Sequence, residues 1–283
     1  MTDLRIAGVP EHFNLPWKLL IQSGNLQQNG INPQWTNIPE GTGKMCQMLR
    51  NGETDVAVIL TEGIIKDIIE GNPSKIVQIY VESPLLWGIH VAHDSKFENV
   101  SDLKNARVAI SRPGSGSQLM AYVNAKNNGW PIDKLEFVSI NTIDGAVSAL
   151  TNNEADYFMW ERFMTKPLVD KGIFRRIGEC PTPWPSFVIA VTDAFLESHP
   201  DIIQKMLQEI NAVTSSFKEM PDVIDMLATE FNQKKEDLAE WLSLTNWSEN
   251  PLNEELLNKV QIQLLDYGVI HKRGTFADMA RAL

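Results

Sequence analysis

The chain has 283 residues, enough to bury a sizeable core and to form two lobes of ordinary domain size. With 43% hydrophobic and 22% charged residues it reads as a soluble globular protein. Its formal net charge of -11, with no Lys/Arg cluster, excludes a nucleic-acid surface, which needs a basic stripe. Cys46 and Cys180 form no C-x-x-C pair, so two buried thiols are expected rather than a disulfide framework or a zinc site.

In chain order, a first strand over 4–9 leads to a helix through Trp17, Leu19, Leu20 and Ile21, with Asn14 as N-cap and Pro16 in the first turn. A strand near 34–38 delivers Pro39-Glu40-Gly41-Thr42-Gly43 to a helix carrying Met45, Met48 and Leu49. The apolar run 56–60 delivers Thr61-Glu62-Gly63 to a helix over 64–69, and a fourth strand covers 76–81. After Ser83-Pro84 comes a strand over 85–92, then the stretch that anchors the functional reading, Val108 to Asn127. There a β-branched strand breaks into Ser111-Arg112-Pro113-Gly114-Ser115-Gly116-Ser117 and enters a helix. Unpaired backbone N–H groups and the hydroxyls of Ser115 and Ser117 would surround one point that favours a ligand oxygen or anion. The plain structural alternative is a strand-to-helix turn capped by serine. The turn matches neither a phosphate loop nor a nucleophile elbow.

The alternation continues through a strand over 135–139, a helix from Thr142 to Leu150, a strand over 156–159, a helix from Glu161 to about Lys171 and a strand over 174–177. Leu49–Asp55 and Leu150–Asp156 both read L-x-N-x-E-x-D, and each precedes an apolar run ending at a Glu, Glu62 or Glu161. Two similar βαβ lobes with largely parallel sheets are expected, their strand-end loops facing each other. Prolines stiffen 181–185 and a strand follows over 186–192. Beyond it only helical spacing is found, over 200–213, 223–231, 235–244, 253–267 and 276–283, which predicts helices buttressing the first lobe.

Asp102–Ile110, the Gly/Ser turn and Ala190–Pro200 together resemble the type II periplasmic-binding proteins, nearest to the taurine, alkanesulfonate and thiamine-pyrimidine-precursor binders. A fungal and bacterial group of unknown ligand is similar as well. The resemblance covers about Leu4 to Phe217 and implies an α/β fold of two lobes holding a ligand in a central cleft. Lobe 1 would be 1–83 plus 186–283 and lobe 2 would be 84–185, with crossings near 83–85 and 184–187. The cysteine-rich motif of the yeast pyrimidine-synthesising enzymes of this superfamily is missing, which argues against that chemistry.

Strand-end loops then place Glu11, His12, Glu40, Thr42 and Glu62 on the first lobe's face and Arg112, Ser115, Ser117, Trp160 and Glu161 on the second, with Trp87 and Trp184 near the crossings. Acids beside indole rings suit a flat ligand with a cationic or hydrogen-bond-donating group, such as an aminopyrimidine. Arg112 and the Gly/Ser turn suit a carboxylate, sulfonate or phosphate, so a zwitterion fits too. For each acid the competing role is helix-dipole compensation, and for Trp87 and Trp184 it is hinge packing. His12 beside Glu11 is the only pair suited to acid/base work.

The expectation is a binding protein whose lobes close on a small polar ligand, with no cofactor, metal or nucleic-acid partner and no stable membrane insertion. A cofactor-free enzyme using His12 or Glu11 is the competing class, and a binding component docking to an importer permease is a third. No secretion signal precedes the first strand, so a cytoplasmic location is expected, or a periplasmic one if a signal peptide has been removed.

Overall fold

The computed structural model describes residues 1–283. The chain divides into two compact units: Met1–Ser83, Trp184–Leu265 and Ile270–Leu283 form the first, Pro84–Pro183 and Asp266–Val269 the second. Trp184 and Pro185 therefore go with the first unit, where the Trp184 indole bonds Glu62. Residues 266–269 go with the second, where Lys126 pairs with Asp266 at 2.9 Å and lies over the Tyr267 ring.

The first unit holds β1 (Thr2–Gly8), β2 (Ile31–Asn37), β3 (Val56–Leu60) and β4 (Ser74–Val81). The second holds β5 (Leu86–Ala92), β6 (Arg107–Ile110), β7 (Glu136–Ser139), β8 (Tyr157–Glu161) and β9 (Phe174–Pro181), after which β10 (Phe187–Thr192) returns to the first. The two sheets have matching orders, β2-β1-β3-β10-β4 and β7-β6-β8-β5-β9. In each, β1 or β6 runs parallel to both its neighbours, whereas β10 or β5 is inserted antiparallel to both of its own. The sheets are therefore mixed. The antiparallel member is the first strand the chain makes on entering from the other unit, and local patterning carries no trace of its direction.

Strand composition follows burial. Val56–Ile59 and all of β10 are buried, and both are continuous apolar runs, as expected of inner strands covered on both faces. The repeated L-x-N-x-E-x-D motif is one structural device used twice. In the first unit the turn residue Gly52 has φ +65° and its carbonyl accepts from Arg5, whose guanidinium also grips Asp55. In the second, Asn153 has φ +57° and Arg107 grips Asp156 and the Asn153 carbonyl in the same manner.

Several elements differ from the sequence expectation for local reasons. Asn14 does not cap the helix Leu15–Ser23, because its side-chain amide donates instead to the Val9 carbonyl at 2.8 Å. β8 runs through Glu161, and the next helix is only Lys166–Asp170. Between them Glu161 Oε2 accepts from Met164 N at 2.6 Å and the Thr165 hydroxyl bonds the carbonyls of Glu161 and Arg162, which fixes a turn. A short helix, Asp193–Ser198, precedes Pro200–Ser216. The last segment is helical only over Phe276–Met279; Ala280 then bridges to Ile76 and Arg281 N donates to the Ile76 carbonyl.

The C-terminal helices Pro200–Ser216, Val223–Phe231 and Lys235–Leu244 belong to the first unit. Trp241 lies 5.2 Å from Phe13, Phe217 packs edge-on to Trp247, and Tyr80 donates to the Phe13 carbonyl at 2.8 Å. Burying a side chain such as Phe217 contributes about 1.5–3 kcal/mol. Residues 246–250 run beside β4: Glu82 N donates to Asn246 O, Ser248 N to Tyr80 O and Ile79 N to Asn250 O. Both cysteines are free and buried, and no helix is long and apolar enough to cross a membrane.

Candidate ligand-binding site

In the first unit the parallel strands end in three loops. After β1, Glu11 sits in a turn closed by its own N–H on the Val9 carbonyl. Its side chain keeps some surface in solvent, yet burial pushes its carboxyl up to about 7. His12 is fully buried, with Phe231 at 4.6 Å and Trp241 at 5.1 Å between ring centroids. Burial lowers its pKa to about 4, against an opposing pull from the Gln233 side chain. The imidazole is thus part of an aromatic core and neutral near pH 7, and no hydrogen bond joins it to Glu11. The acid/base pair expected from adjacency is not formed, because consecutive residues at the start of this turn serve different surroundings.

After β2, Glu40 is exposed to solvent, while Thr42 opens the helix Thr42–Arg50 behind Gly41, whose φ of +76° and ψ of -157° only glycine adopts readily. A Cβ placed on Gly63 would lie 2.2 Å from Thr42 Cγ2, so this glycine lets Thr42 rest on the start of the helix Thr61–Ile69. Glu62 occupies the first turn of that helix and is 4% exposed. Its Oε2 accepts from Trp184 Nε1 at 2.8 Å, and the indole itself is buried. Burial pushes the Glu62 carboxyl up to about 7, against the pull of its own backbone N–H and of the indole. The structure thus brings Thr42, Glu62 and Trp184 together. Glu11 shares their end of the sheet, and Glu40 stands apart in solvent.

In the second unit the Gly/Ser turn is knitted to itself. Ser117 Oγ accepts from Ser111 N at 2.9 Å and lies 3.0 Å from Ser115 Oγ and 3.3 Å from Ser111 Oγ. Ser115 caps the helix Gly116–Asn127 by accepting from Gln118 N, and both Ser115 and Ser117 are buried. The serine-capped turn anticipated as the plain alternative is present. Gln118 Oε1 takes the Gly114 N–H at 2.7 Å, and this residue was legible as the last position of an S-x-x-Q capping pattern. Arg112 is exposed beside the turn.

Along the same sheet end, Trp87 on β5 is paired directly with Glu161 on β8. The half-buried Trp160 ring stacks on Phe158 at 5.5 Å and meets the buried Trp87 ring edge-on at 6.2 Å. Glu161 is buried and tied to its own turn through Met164 N. Relative to the repeated motif it is not the counterpart of Glu62, because it ends a strand whereas Glu62 lies past one, in a helix. Behind this turn lies a buried histidine. His90 Nε2 lies 2.9 Å from the Thr165 hydroxyl in a fully buried pocket, and burial followed by the charge of Arg176 lowers its pKa to about 4. A histidine inside the apolar run Leu85–Ala92 was the available signal.

Chemically the two units differ. The first offers carboxyls short of polar partners, which suit a donor or cation, while the second offers a helix N-terminus, a guanidinium and indole faces.

A family model described as Ca3427-like PBP matches residues 87–180. Among solved structures, the Candida albicans CA3427 gene product, described as defining a new family with the generic periplasmic binding protein fold, is 26% identical. It superposes with a TM-score of 0.89 over 97% of this chain and 92% of that one. The fold is that of the periplasmic binding proteins. The alkanesulfonate-binding protein SsuA from Xanthomonas axonopodis pv. citri, bound to MOPS, shares this binding-protein fold at 14% identity and a TM-score of 0.82, covering 100% and 99% of the two chains. So does a ligand-binding component of an ABC-type import system from Staphylococcus aureus, at 13% identity and a TM-score of 0.78 over 100% and 97%. No curated protein matches by sequence. The family-model match falls within the second lobe of the binding-protein fold, the lobe that carries the Gly/Ser turn.

Proposed function

We propose that the chain binds a small polar ligand, heterocyclic or zwitterionic. The observation that carries this reading is Glu62: a buried carboxylate held by an indole N–H, with no cation of the protein beside it. A buried charge is costly unless paired, so a ligand N–H or cation is the natural complement. Glu11 adds a second acceptor at the same sheet end, and Trp160 offers a flat apolar face. Arg112 and the N-terminus of the helix Gly116–Asn127 supply the complement of an acidic group. Likeness to a sulfonate binder supports the acidic end of such a ligand, and acids near indoles support an aminopyrimidine-like end.

The ABC-import component among the structural neighbours supports a second reading, in which the loaded protein docks to a permease. Under the first reading the chain works in the cytoplasm as a carrier or sensor, and cell fractionation separates the two. The binding proposal is tested by native mass spectrometry with release and identification of any carried molecule, and by calorimetric titration with 4-amino-2-methylpyrimidine and with taurine. Glu62→Gln and Glu11→Gln are expected to weaken binding about tenfold or more, the range for hydrogen bonds to a charged group. Affinity that survives both substitutions removes the site.

A further inference from the structure

Trp184 lies in the segment by which the chain returns from the second unit to the first, between Pro183 and Pro185. Two residues on, Ser186 is fastened to the outgoing crossing, its hydroxyl donating to the Ser83 carbonyl at 2.8 Å and its N–H to the same oxygen at 3.3 Å. Ser186 O in turn accepts from Thr61 N at 3.1 Å, one residue before Glu62. The return crossing thus touches the Glu62 loop twice, by backbone at Thr61 and by the indole at Glu62.

We propose that Trp184 is a positioning residue: its indole N–H holds the Glu62 carboxylate in one orientation for a ligand donor and links that contact to the return crossing. The assignment rests on the reading of Glu62 as a ligand group. Its physical basis is that an indole donates one hydrogen bond and accepts none, so it favours a carboxylate over other partners and leaves the second oxygen for the ligand. Proline on either side of Trp184 limits the backbone's freedom to let the ring drift. No charged side chain competes for Glu62: desolvation, its own backbone N–H and the indole are the influences on its ionisation, and Lys66 in the same helix faces Glu70.

The test uses the ligand-free protein first. With 13C-labelled glutamate, the Glu62 carboxyl is titrated by NMR in the wild type, in Trp184→Phe and in a variant carrying 3-benzothienylalanine at 184, which keeps the ring shape and lacks the N–H. Removing a donor to the charged form moves the titration upward from about 7 in both variants. Calorimetry with 4-amino-2-methylpyrimidine is then expected to show about tenfold weaker binding in the same variants. An unmoved titration in both overturns the hydrogen-bond role. A moved titration with unchanged affinity overturns the positioning role. If the wild type binds no aminopyrimidine and Glu62→Gln alters the binding of no ligand released from the native protein, the function proposed above fails and takes the ligand part of this inference with it, while the titration still decides the bond.

Discussion

Arg5 holds Asp55 through its backbone N–H at 2.9 Å, its Nε at 3.0 Å and its Nη2 at 2.5 Å. The clasp ties the middle of β1 to the entry of β3. Arg107 and Asp156 repeat it with a backbone bond of 2.7 Å and side-chain bonds of 3.1 and 3.0 Å. Asp55→Asn and Asp156→Asn should each cost about 1–2 kcal/mol, discounted because the arginines are partly in solvent. Urea titrations of the two variants check this, and a loss confined to one of them would separate the two clasps in strength.

Buried acids and buried imidazoles act on stability with opposite sign in one pH window. Glu62 titrates at about 7 in the native state against an ordinary 4.5, so the native state holds the extra proton in between. Its contribution to stability therefore falls as pH rises through that window and stays reduced above it. His12 and His90, at about 4 against an ordinary 6.5, bind fewer protons when folded, so stability is lost as pH falls from 6.5 towards 4. Relative to the wild type, Glu62→Gln should gain on the order of 3 kcal/mol at pH 8 and little at pH 4. His12→Phe should gain only on the acid side. Denaturation at pH 4, 6 and 8 reads both tilts, and parallel profiles for all three proteins would contradict the burial of these groups.

How much of this was legible in the sequence depends on what each residue answers to. The Leu49–Asp55 and Leu150–Asp156 repeat identified the paired lobes because the clasp is local: a left-handed turn residue, an aspartate and the next strand lie within a few positions. The Ser115 cap was legible for the same reason. The antiparallel insertion of β10 and β5 was not, since strand direction is set by chain crossings rather than composition. The roles of Glu62 and His12 also diverged from adjacency. Glu62 meets Trp184, far away in sequence, and His12 meets Phe231 and Trp241, farther still, so neither environment is written near its residue.

Gly145 marks a backbone approach in the second unit. A Cβ there would stand 2.0 Å from the Ile140 carbonyl oxygen, in the loop where Thr142 caps the helix Ile143–Thr151. Gly145→Ala gains about 1 kcal/mol of helix propensity but must displace that carbonyl, so a net loss of about 1–2 kcal/mol is expected in thermal melts.

Ser117→Ala would leave Ser111 N–H without its acceptor inside the turn. A loss of about 1–3 kcal/mol is expected, with faster exchange of the Ser111 amide by NMR. Unchanged exchange would show that another oxygen takes over.

β4 is the outer strand of the first sheet, yet residues 246–250 and 280–281 already occupy hydrogen-bonding groups along it. At the opposite margin, β2 contains Pro33, which has no N–H to offer. One margin is covered and the other is interrupted by a proline, which disfavours growth of the sheet by strand addition and edge-to-edge polymerisation. Cutting back the last four residues would strip part of that cover from Ile76 and turn a private margin of the molecule into an adhesive one.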